Sequence, residues 1–231
     1  VKMVKVEGAL FHSGAGWELM PPEQKRSGPF YKILGSTKEA GELAKAIGFP
    51  VVLKVASVDI THRSDIHAVQ VGLRDVREVE AAYEEILRRC REAQPGCRIE
   101  GVVVQPMVQG VGEAILGVSR DPQLGPVILL GIGGIFVEIL KDVVLRIPPL
   151  GIRECRAMIE SLRGKAIIQG ARGKPAGDLE ALAQTIHSLS RLAVDFQEEI
   201  EEIDLNPVMV CPQGQGVLAV DGLVVTRPRE N

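Results

Sequence analysis

Helical patterns alternate along this chain with short apolar runs. Two segments open with a polar residue followed three positions later by a glutamate, the arrangement of a helix capping box, and they begin at Ser36 and Asp75. Two further segments, 153–162 and 178–196, repeat apolar residues at the spacing of a helix face. The pattern therefore predicts four helices.

Apolar runs rich in β-branched residues predict strands between these helices. The predicted strands are 51–55, 99–107, 113–121, 125–133, 201–211 and 217–225. The third and fourth are joined by the turn sequence DPQLG, which is typical of a hairpin. Helices that separate strands, with hairpins among them, indicate an α+β fold.

Residues 1–35 differ from the rest of the chain, because glycine and proline are frequent there and no hydrophobic period is visible. The segment nevertheless contains four of the eight aromatic residues: Phe11, Trp17, Phe30 and Tyr31. Disordered tails are poor in aromatic residues. We therefore expect this segment to pack on its own domain or on a partner.

The composition is ordinary for a globular protein, with 45% hydrophobic and 25% charged residues in 231 positions. A net charge of −3 does not favour nucleic-acid binding, and no apolar run approaches the ~20 residues of a membrane span. The N-terminus shows no signal-peptide pattern, and the four cysteines form no CxxC pair. We expect a cytoplasmic protein with reduced thiols and neither a nucleic-acid nor a membrane partner.

Lys54 interrupts the apolar run 51–55. A buried lysine is costly unless it is paired. Its stem could be buried while the ammonium group reaches water, or the charge could neutralise a nucleotide phosphate. The pattern alone leaves both interpretations open.

His62 follows that run in the sequence THRSDIH. A histidine can accept a phosphoryl group through a ring nitrogen if a neighbour orients the ring, and Asp65 is close enough in a loop to do so. Arg63 could meet phosphate oxygens. A solvated polar loop would explain the same residues, and the residues alone favour that interpretation. His187 lies on an apolar helix face and is expected to be a packed structural histidine.

Asn206, before Pro207, and Asp221, before Gly222, mark strand ends within the last two apolar runs. Their oxygens suit Mg²⁺, which takes one or two protein ligands besides substrate phosphates. Asn-Pro and Asp-Gly are also strong turn signals, and the residues alone favour this turn role over metal binding. The glycines of GIGGIF (131–136) do not match a dinucleotide fingerprint, although their backbone N–H groups could face an anion.

Five stretches taken together resemble one family: GFPVVLKVASVDITHRSDIHAVQVGL, IEGVVVQPM, GEAILGVSRDPQLGPVILLGIGGIFVEILKDVVLR, EIDLNPVMV and AVDG. They resemble the ATP-grasp subunit of ADP-forming (NDP-forming) acyl-CoA synthetases, in particular the β subunit of ADP-forming acetate–CoA ligase. The resemblance implies an ATP-grasp fold in which two α+β subdomains clasp a nucleotide. It implies residues 36–106 as the first subdomain, 107–231 as the second, and 1–35 as an atypical N-terminal segment.

The resemblance also implies roles for individual residues. His62 would take a phosphoryl group relayed from a partner subunit and pass it to ADP, with Arg63 and Asp65 beside it in the catalytic motif. The residues implied in nucleotide binding are Lys54, Ser57, Gln105, Pro106, Met107, Val108, Glu113 and Arg146. Glu138 and Asp142 would lie near the phosphates, and Asn206 and Asp221 would bind Mg²⁺.

The implied reaction is acyl-CoA + ADP + phosphate ⇌ organic acid + CoA + ATP, with ATP or ADP and Mg²⁺ bound by this chain. CoA binding and the first phosphohistidine belong, in this family, to a separate α subunit. The implied assembly is therefore an α₂β₂-type hetero-oligomer. Two alternatives are a degenerate, non-catalytic nucleotide-binding scaffold subunit and a β subunit like that of succinyl-CoA synthetase.

The chain departs from the family pattern at three places. It reads HRSDIHAV where the family has HKSDxGGV, so Arg63 keeps the charge of the family lysine. His67 and Ala68 replace two glycines, and glycine allows backbone conformations that His and Ala resist. Residues 1–35 match neither the helix nor the YGIP-type strand with which the family usually starts.

Overall fold

The computed structural model describes residues 2–6, 10–13, 16–18, 32–57, 59–60, 63, 66–134, 142–170, 173 and 175–227. The chain forms two compact units. The large unit comprises Val1–Met20 and Val108–Asn231, and the small unit comprises Pro21–Met107. The division into three segments expected from the sequence stays a prediction.

Strands and helices follow one another in both units. The strands are β1 Lys2–Val6, β2 Leu10–Ser13, β3 Gly16–Glu18, β4 Lys32–Leu34, β5 Val51–Ala56, β6 Val69–Leu73, β7 Gly101–Pro106, β8 Gly112–Asp121, β9 Gly125–Ile132, β10 Val143–Arg146, β11 Ile200–Val210, β12 Val217–Ala219 and β13 Gly222–Thr226. The helices are α1 Thr37–Ile47, α2 Val76–Ala93, α3 Ile152–Ser161, α4 Ala166–Gln169 and α5 Leu179–Asp195.

The small unit is a four-stranded antiparallel sheet, in the order β4-β7-β5-β6, packed against α1 and α2. Both helices begin as predicted, because Ser36 Oγ and Asp75 Oδ1 each accept a hydrogen bond from the backbone N–H three residues later. The core contains alternate residues of the central strand β5, namely Val51, Leu53 and Val55. One face of the sheet therefore packs against the helices, and the other face is not covered by them.

The large unit is built on a nine-stranded antiparallel sheet. Strands β10, β9, β8 and β11 are consecutive neighbours, and β12 and β13 lie end to end along the other side of β11. Helices α3 and α5 cover one face and enclose the larger core, in which the side chains of Met158, Leu182 and Ile186 are fully buried. The predicted hairpin is confirmed as β8 and β9, which pair from Ala114–Ile132 to Asp121–Gly125.

The N-terminal strands join the sheet of the large unit. β1 pairs with β13, β2 pairs with β12, and β3 pairs with β2. The expectation that this segment packs on its own domain therefore holds for the backbone of Lys2–Val6, Leu10–Ser13 and Gly16–Glu18. Phe30 and Tyr31 lie outside the described residues.

The last predicted strand, 217–225, is wrong as a single element, because the structure divides it into β12 and β13. The break lies at Val220 and Asp221, opposite a bulge at Asn206–Pro207 in β11. Two hydrogen bonds fix this junction: Val220 N–H donates to the Pro207 carbonyl at 3.1 Å, and Asn206 N–H donates to the Asp221 carbonyl at 3.3 Å.

Three other expectations can be compared with the structure. All four cysteines are free thiols. His187 is half-buried, and its Nδ1 lies 2.6 Å from the Leu150 carbonyl oxygen, which suits a structural histidine. Among the described helices, none has the length and apolar character needed to cross a membrane.

Candidate functional site

Lys54 lies on the face of the small sheet that α1 and α2 do not cover. It alternates along β5 with the core residues Leu53 and Val55, and it is paired with Val103 of β7. Only 3% of its surface is exposed. Such burial does not fit a lysine that carries its ammonium group into water, and it places a cation on this second face of the sheet.

Gln105 lies on the same face, because it pairs with Val52, which is two residues before Lys54 on β5. Its side chain is also buried, with 9% exposed. After Pro106 the chain leaves the strand, and Met107 N–H donates to the Pro50 carbonyl at 3.1 Å. The second face therefore combines a cation with an amide, and residues 106–108, which the resemblance implies in nucleotide binding, begin at its edge.

Ser57 follows β5 directly and is buried. Its Oγ accepts a hydrogen bond from Asp59 N–H at 3.2 Å, so the serine fixes the first turn after the strand. His62 and Asp65 lie outside the described residues, and their predicted roles stay predictions.

Arg63 is 3% exposed. Its carbonyl oxygen accepts a hydrogen bond from Ala68 N–H at 2.8 Å, and the Ala68 carbonyl accepts one from Val55 N–H at 3.1 Å. His67, between them, has φ of 53°, which is the left-handed region that glycine favours. The first of the two expected glycine positions thus keeps a glycine-like backbone although a histidine occupies it, while Ala68 is fully buried.

Asn206 and Asp221 are brought together in the large unit. Asn206 N–H donates to the Asp221 carbonyl, and the bulge places Asn206 and Pro207 opposite Ile115 of β8. Asp221 Oδ1 accepts from Gly222 N–H at 3.0 Å, while Asn206 is exposed. The register that the sequence could not supply therefore makes neighbours of the two expected Mg²⁺ ligands.

Glu113 lies on the sheet face of the large unit that points away from α3 and α5. Its carbonyl oxygen accepts from Gly133 N–H at 2.8 Å, and a Cβ atom at Gly133 would come within 2.8 Å of the Glu113 Cβ. A Cβ at Gly134, where φ is 71°, would lie 3.3 Å from Glu113 Oε2. These glycines therefore leave room for the Glu113 side chain, which is a more specific role than the anion-facing loop expected from GIGGIF.

Asp204 was missed by the sequence reasoning. It lies opposite Gly117 of β8, four residues along that strand from Glu113 and therefore on the same face. It also precedes Asn206 by two residues on β11. The signal was available, since acidic and amide side chains two positions apart on a strand share a face.

Arg146 is not placed with these residues. It pairs with the core residue Ile128, so the register assigns it to the helix-covered face, at the exposed edge strand β10. Its Nη1 donates to the Leu145 carbonyl at 2.8 Å. Its role in phosphate binding stays a prediction, and its position on β10 does not support that role. Val108 is half-buried at the start of the second segment of the large unit.

Asp142 is buried, and its carboxylate is occupied by the backbone of the turn before α4. It accepts hydrogen bonds from Gly164 N–H at 2.7 Å and Arg163 N–H at 3.1 Å, and the Arg163 guanidinium lies 3.6 Å away. Burial opposes ionisation, but these N–H groups and the arginine charge outweigh it and hold the pKa below its ordinary value. Asp142 thus serves the structure of the turn, whereas Glu138 lies outside the described residues.

The residues present suit a magnesium ion that is shared with nucleotide phosphates. Asn206 and Asp221 carry oxygen donors, the ligand type that Mg²⁺ prefers, and their backbones are neighbours. Within the described part of the chain no group of three or more His, Cys, Asp or Glu side chains could hold a metal by itself. A two-ligand site completed by a substrate is therefore the arrangement that fits.

Comparison with known proteins agrees with these features. The ATP-grasp domain family model matches residues 29–225. The β subunit of ADP-forming acetate–CoA ligase II from Pyrococcus furiosus is 39% identical over 199 residues, 86% of this chain and 84% of that subunit. ADP-forming acetate–CoA ligase I from Archaeoglobus fulgidus is 40% identical over 94% of this chain, which spans only 30% of that longer protein.

Solved structures give the same result. The dinucleotide forming acetyl-coenzyme A synthetase 1 of Candidatus Korarchaeum cryptofilum, in complex with coenzyme A and Ca-AMPCP, has a TM-score of 0.78 and 38% identity, with 85% of both chains covered. Its complex with coenzyme A and Mg-AMPPCP, with the phosphohistidine segment pointing towards the nucleotide binding site, has a TM-score of 0.67 and 35% identity over 85% of this chain and 84% of that chain. Both sets of matches agree with the resemblance seen in the sequence. The chain therefore belongs to the ATP-grasp family, among the β subunits of ADP-forming acetate–CoA ligases.

Proposed function

We propose that this chain is the nucleotide-binding component of an ADP-forming acyl-CoA synthetase and transfers a phosphoryl group between His62 and ADP or ATP. The observation that carries the proposal is the burial of Lys54 beside Gln105 on the sheet face free of helices. A lysine ammonium group can bind a nucleotide phosphate as a point charge. The relatives named β subunits of ADP-forming acetate–CoA ligases support a nucleotide as the ligand.

In the direction of ATP use, the bond between the γ-phosphorus and the β–γ bridging oxygen breaks, and that oxygen stays on ADP. A bond between the γ-phosphorus and a ring nitrogen of His62 forms, and the imidazole proton leaves to solvent. Phosphoryl transfer depends on positioning and on neutralising charge more than on covalent chemistry. Lys54 and Arg63 supply positive charge in the small unit, and Asn206 with Asp221 would hold Mg²⁺, which neutralises phosphate charge when bound.

A second component that binds CoA completes the proposed enzyme. Support comes from the relatives, because one is named a β subunit and another is a single chain of which this sequence spans 30%. The Korarchaeum structures contain coenzyme A together with a nucleotide analogue. We propose a CoA-binding α subunit as partner and a small carboxylic acid such as acetate as the acid released from its CoA thioester.

The test is to incubate the purified chain with Mg²⁺ and γ-labelled ATP, with and without a CoA-binding α subunit, and to map acid-labile label by mass spectrometry. We expect label on His62, which His62→Ala abolishes without changing ATP affinity. His67→Ala is the matched control, because it removes an exposed histidine five positions away and should leave the labelling unchanged. ATP binding without label in either sample would contradict the proposal and favour the non-catalytic scaffold.

A further inference from the structure

The segment before His62 is fixed from outside by an arginine on another part of the small unit. Asp59 Oδ2 accepts a hydrogen bond from Arg98 N–H at 2.7 Å. The Arg98 guanidinium adds contacts from Nε to Oδ2 at 3.4 Å and from Nη2 to Oδ1 at 3.3 Å. We name this set of contacts the Asp59–Arg98 clamp.

Backbone hydrogen bonds hold the residues on both sides of Arg98. Arg98 lies between α2 and β7, where Cys97 N–H donates to the Gln94 carbonyl at 3.1 Å and Glu100 N–H donates to the Ala56 carbonyl at 2.8 Å. Arg98 is thus tied on one side to the end of α2 and on the other to the end of β5. The guanidinium itself is largely exposed, so the backbone N–H is the more durable half of the clamp.

Asp59 lies in a segment, residues 57–60, that is also fixed by contacts on either side of it. Its N–H donates to Ser57 Oγ, and the next residue, Ile60, is buried in the core of the small unit. The pKa of the Asp59 carboxyl is held below its ordinary value, mainly by the hydrogen bond from the Arg98 side chain and next by the one from the Arg98 backbone N–H. The carboxyl is therefore ionised at neutral pH. Charge-assisted hydrogen bonds of this kind are stronger than neutral ones.

The other end of the segment is fixed independently. Arg63 is buried, and its carbonyl oxygen is held by Ala68, which is itself bonded to β5 through Val55. Only Thr61 and His62 lie between buried Ile60 and buried Arg63. Since Ile60 follows Asp59 directly, the clamp sets the position from which the chain reaches His62.

We infer that Asp59, held by Arg98, is a positioning residue for the phosphoryl acceptor His62. This inference rests on the proposed function. The role inferred for the clamp is indirect, because it would act by restricting where the histidine can lie. A small misplacement of a reacting group can lower a rate by about 100-fold. A restraint three residues from His62 should therefore be visible in the rate constant rather than in nucleotide affinity.

The experiment compares Asp59→Ala, Asp59→Asn, Arg98→Ala and a control, Arg88→Ala, which removes exposed ion pairs with glutamates elsewhere on α2. The rate of His62 labelling is measured against the concentration of Mg-ATP. We expect Asp59→Ala to lower the maximal rate about tenfold or more with the half-saturating ATP concentration unchanged. Asn keeps one acceptor oxygen and should restore part of the rate.

Arg98→Ala should be milder than Asp59→Ala, with a loss of about threefold, because the backbone N–H of residue 98 still donates. Unaltered labelling in Asp59→Ala would overturn the inference, as would an equal loss in Arg88→Ala. Hydrogen exchange of the peptide 57–68 gives a second measurement that does not depend on catalysis. We expect faster exchange in Asp59→Ala than in Arg88→Ala, and equal exchange in the two variants would also overturn the inference. Absence of label on His62 in the unaltered chain would instead count against the proposed function.

Discussion

Replacing His67 by glycine should stabilise the small unit. His67 holds φ of 53°, and its side chain is exposed, so the substitution removes backbone strain without opening a cavity. The left-handed conformation costs an ordinary L-residue about 1–2 kcal/mol. Glycine loses more chain entropy on folding, about 0.5–1 kcal/mol. The balance is a gain of about 0.5–1 kcal/mol in the free energy of unfolding.

Calorimetry and urea unfolding of the whole chain measure this gain. For a domain of about 60–100 residues, 1 kcal/mol corresponds to about 4–8 °C, so the transition of the small unit should rise by about 2–8 °C. Hydrogen exchange at the Val55 amide gives a local measurement, because that N–H donates to the Ala68 carbonyl next to the substituted position.

His67→Ala separates the two possible causes of a gain. Alanine removes the imidazole but keeps a Cβ atom, so it should leave the strain in place and give no stabilisation. The reasoning would be refuted by a His67→Gly chain that is no more stable than the unaltered one. Equal gains in the alanine and glycine variants would refute it as well, because the effect would then belong to the side chain.

Three further predictions concern the large unit. Gly133→Ala should lower its stability by about 1–3 kcal/mol, since the new methyl group would collide with Glu113, and it should weaken ATP binding measured by calorimetry. Asp142→Asn should cost about 1–3 kcal/mol at pH 7 in urea unfolding, because an amide cannot accept both backbone hydrogen bonds. Cys155, whose pKa is raised to about 11 by burial, should react with iodoacetamide at pH 8 only after unfolding.

Each of these three predictions has a control measurement in the same protein. Gly131→Ala should be milder than Gly133→Ala, because its methyl group would meet the nearest atoms at 3.3 and 3.4 Å. The cost of Asp142→Asn should shrink in acid. The pKa of the folded carboxyl lies below its ordinary value of 3.8, so its stabilisation is present above pH ~4 and is lost as the pH falls through the lowered pKa. Half-buried Cys97 should be alkylated in the folded chain before Cys155, and the reverse order would contradict the burial argument.

The starts of the helices could be predicted because their causes are local. The hydrogen bonds at Ser36 and Asp75 join residues three positions apart, and the sequence displays both partners. The same holds for the hairpin of β8 and β9, where the turn lies between its own strands. In each case a short window of sequence contains the whole interaction.

The face on which a strand residue lies could not be predicted in the same way. Lys54 and Gln105 share a face only because β5 pairs with β7 in a particular register, and that pairing joins residues far apart in the chain. Asn206 and Asp221 are neighbours because β11 pairs with both β12 and β13, at the break that divides one predicted strand. The position of Arg146 on the opposite face from Glu113 follows from register as well.

The clamp on Asp59 also lay outside what the sequence could show. Its partner Arg98 follows a long helix and a turn, and an exposed arginine in a coil has no pattern that marks it. The glycine-like backbone at His67 was equally hidden, since a histidine in the sequence suggests an ordinary conformation. Both features depend on how the segment 57–68 is attached to the sheet.

The pairing of β1 with β13 and of β2 with β12 has a consequence for biosynthesis. The strands of the small sheet are all available to the nascent chain once Pro106 has left the ribosome, whereas β1 has no partner until Gly222–Thr226 has been translated. β1 must therefore wait while the residues up to β13 are translated, and during this time the small unit can complete its core. Closing so long a loop costs little additional entropy but delays the contact. The order of translation thus allows the small unit to fold while the sheet of the large unit is still incomplete.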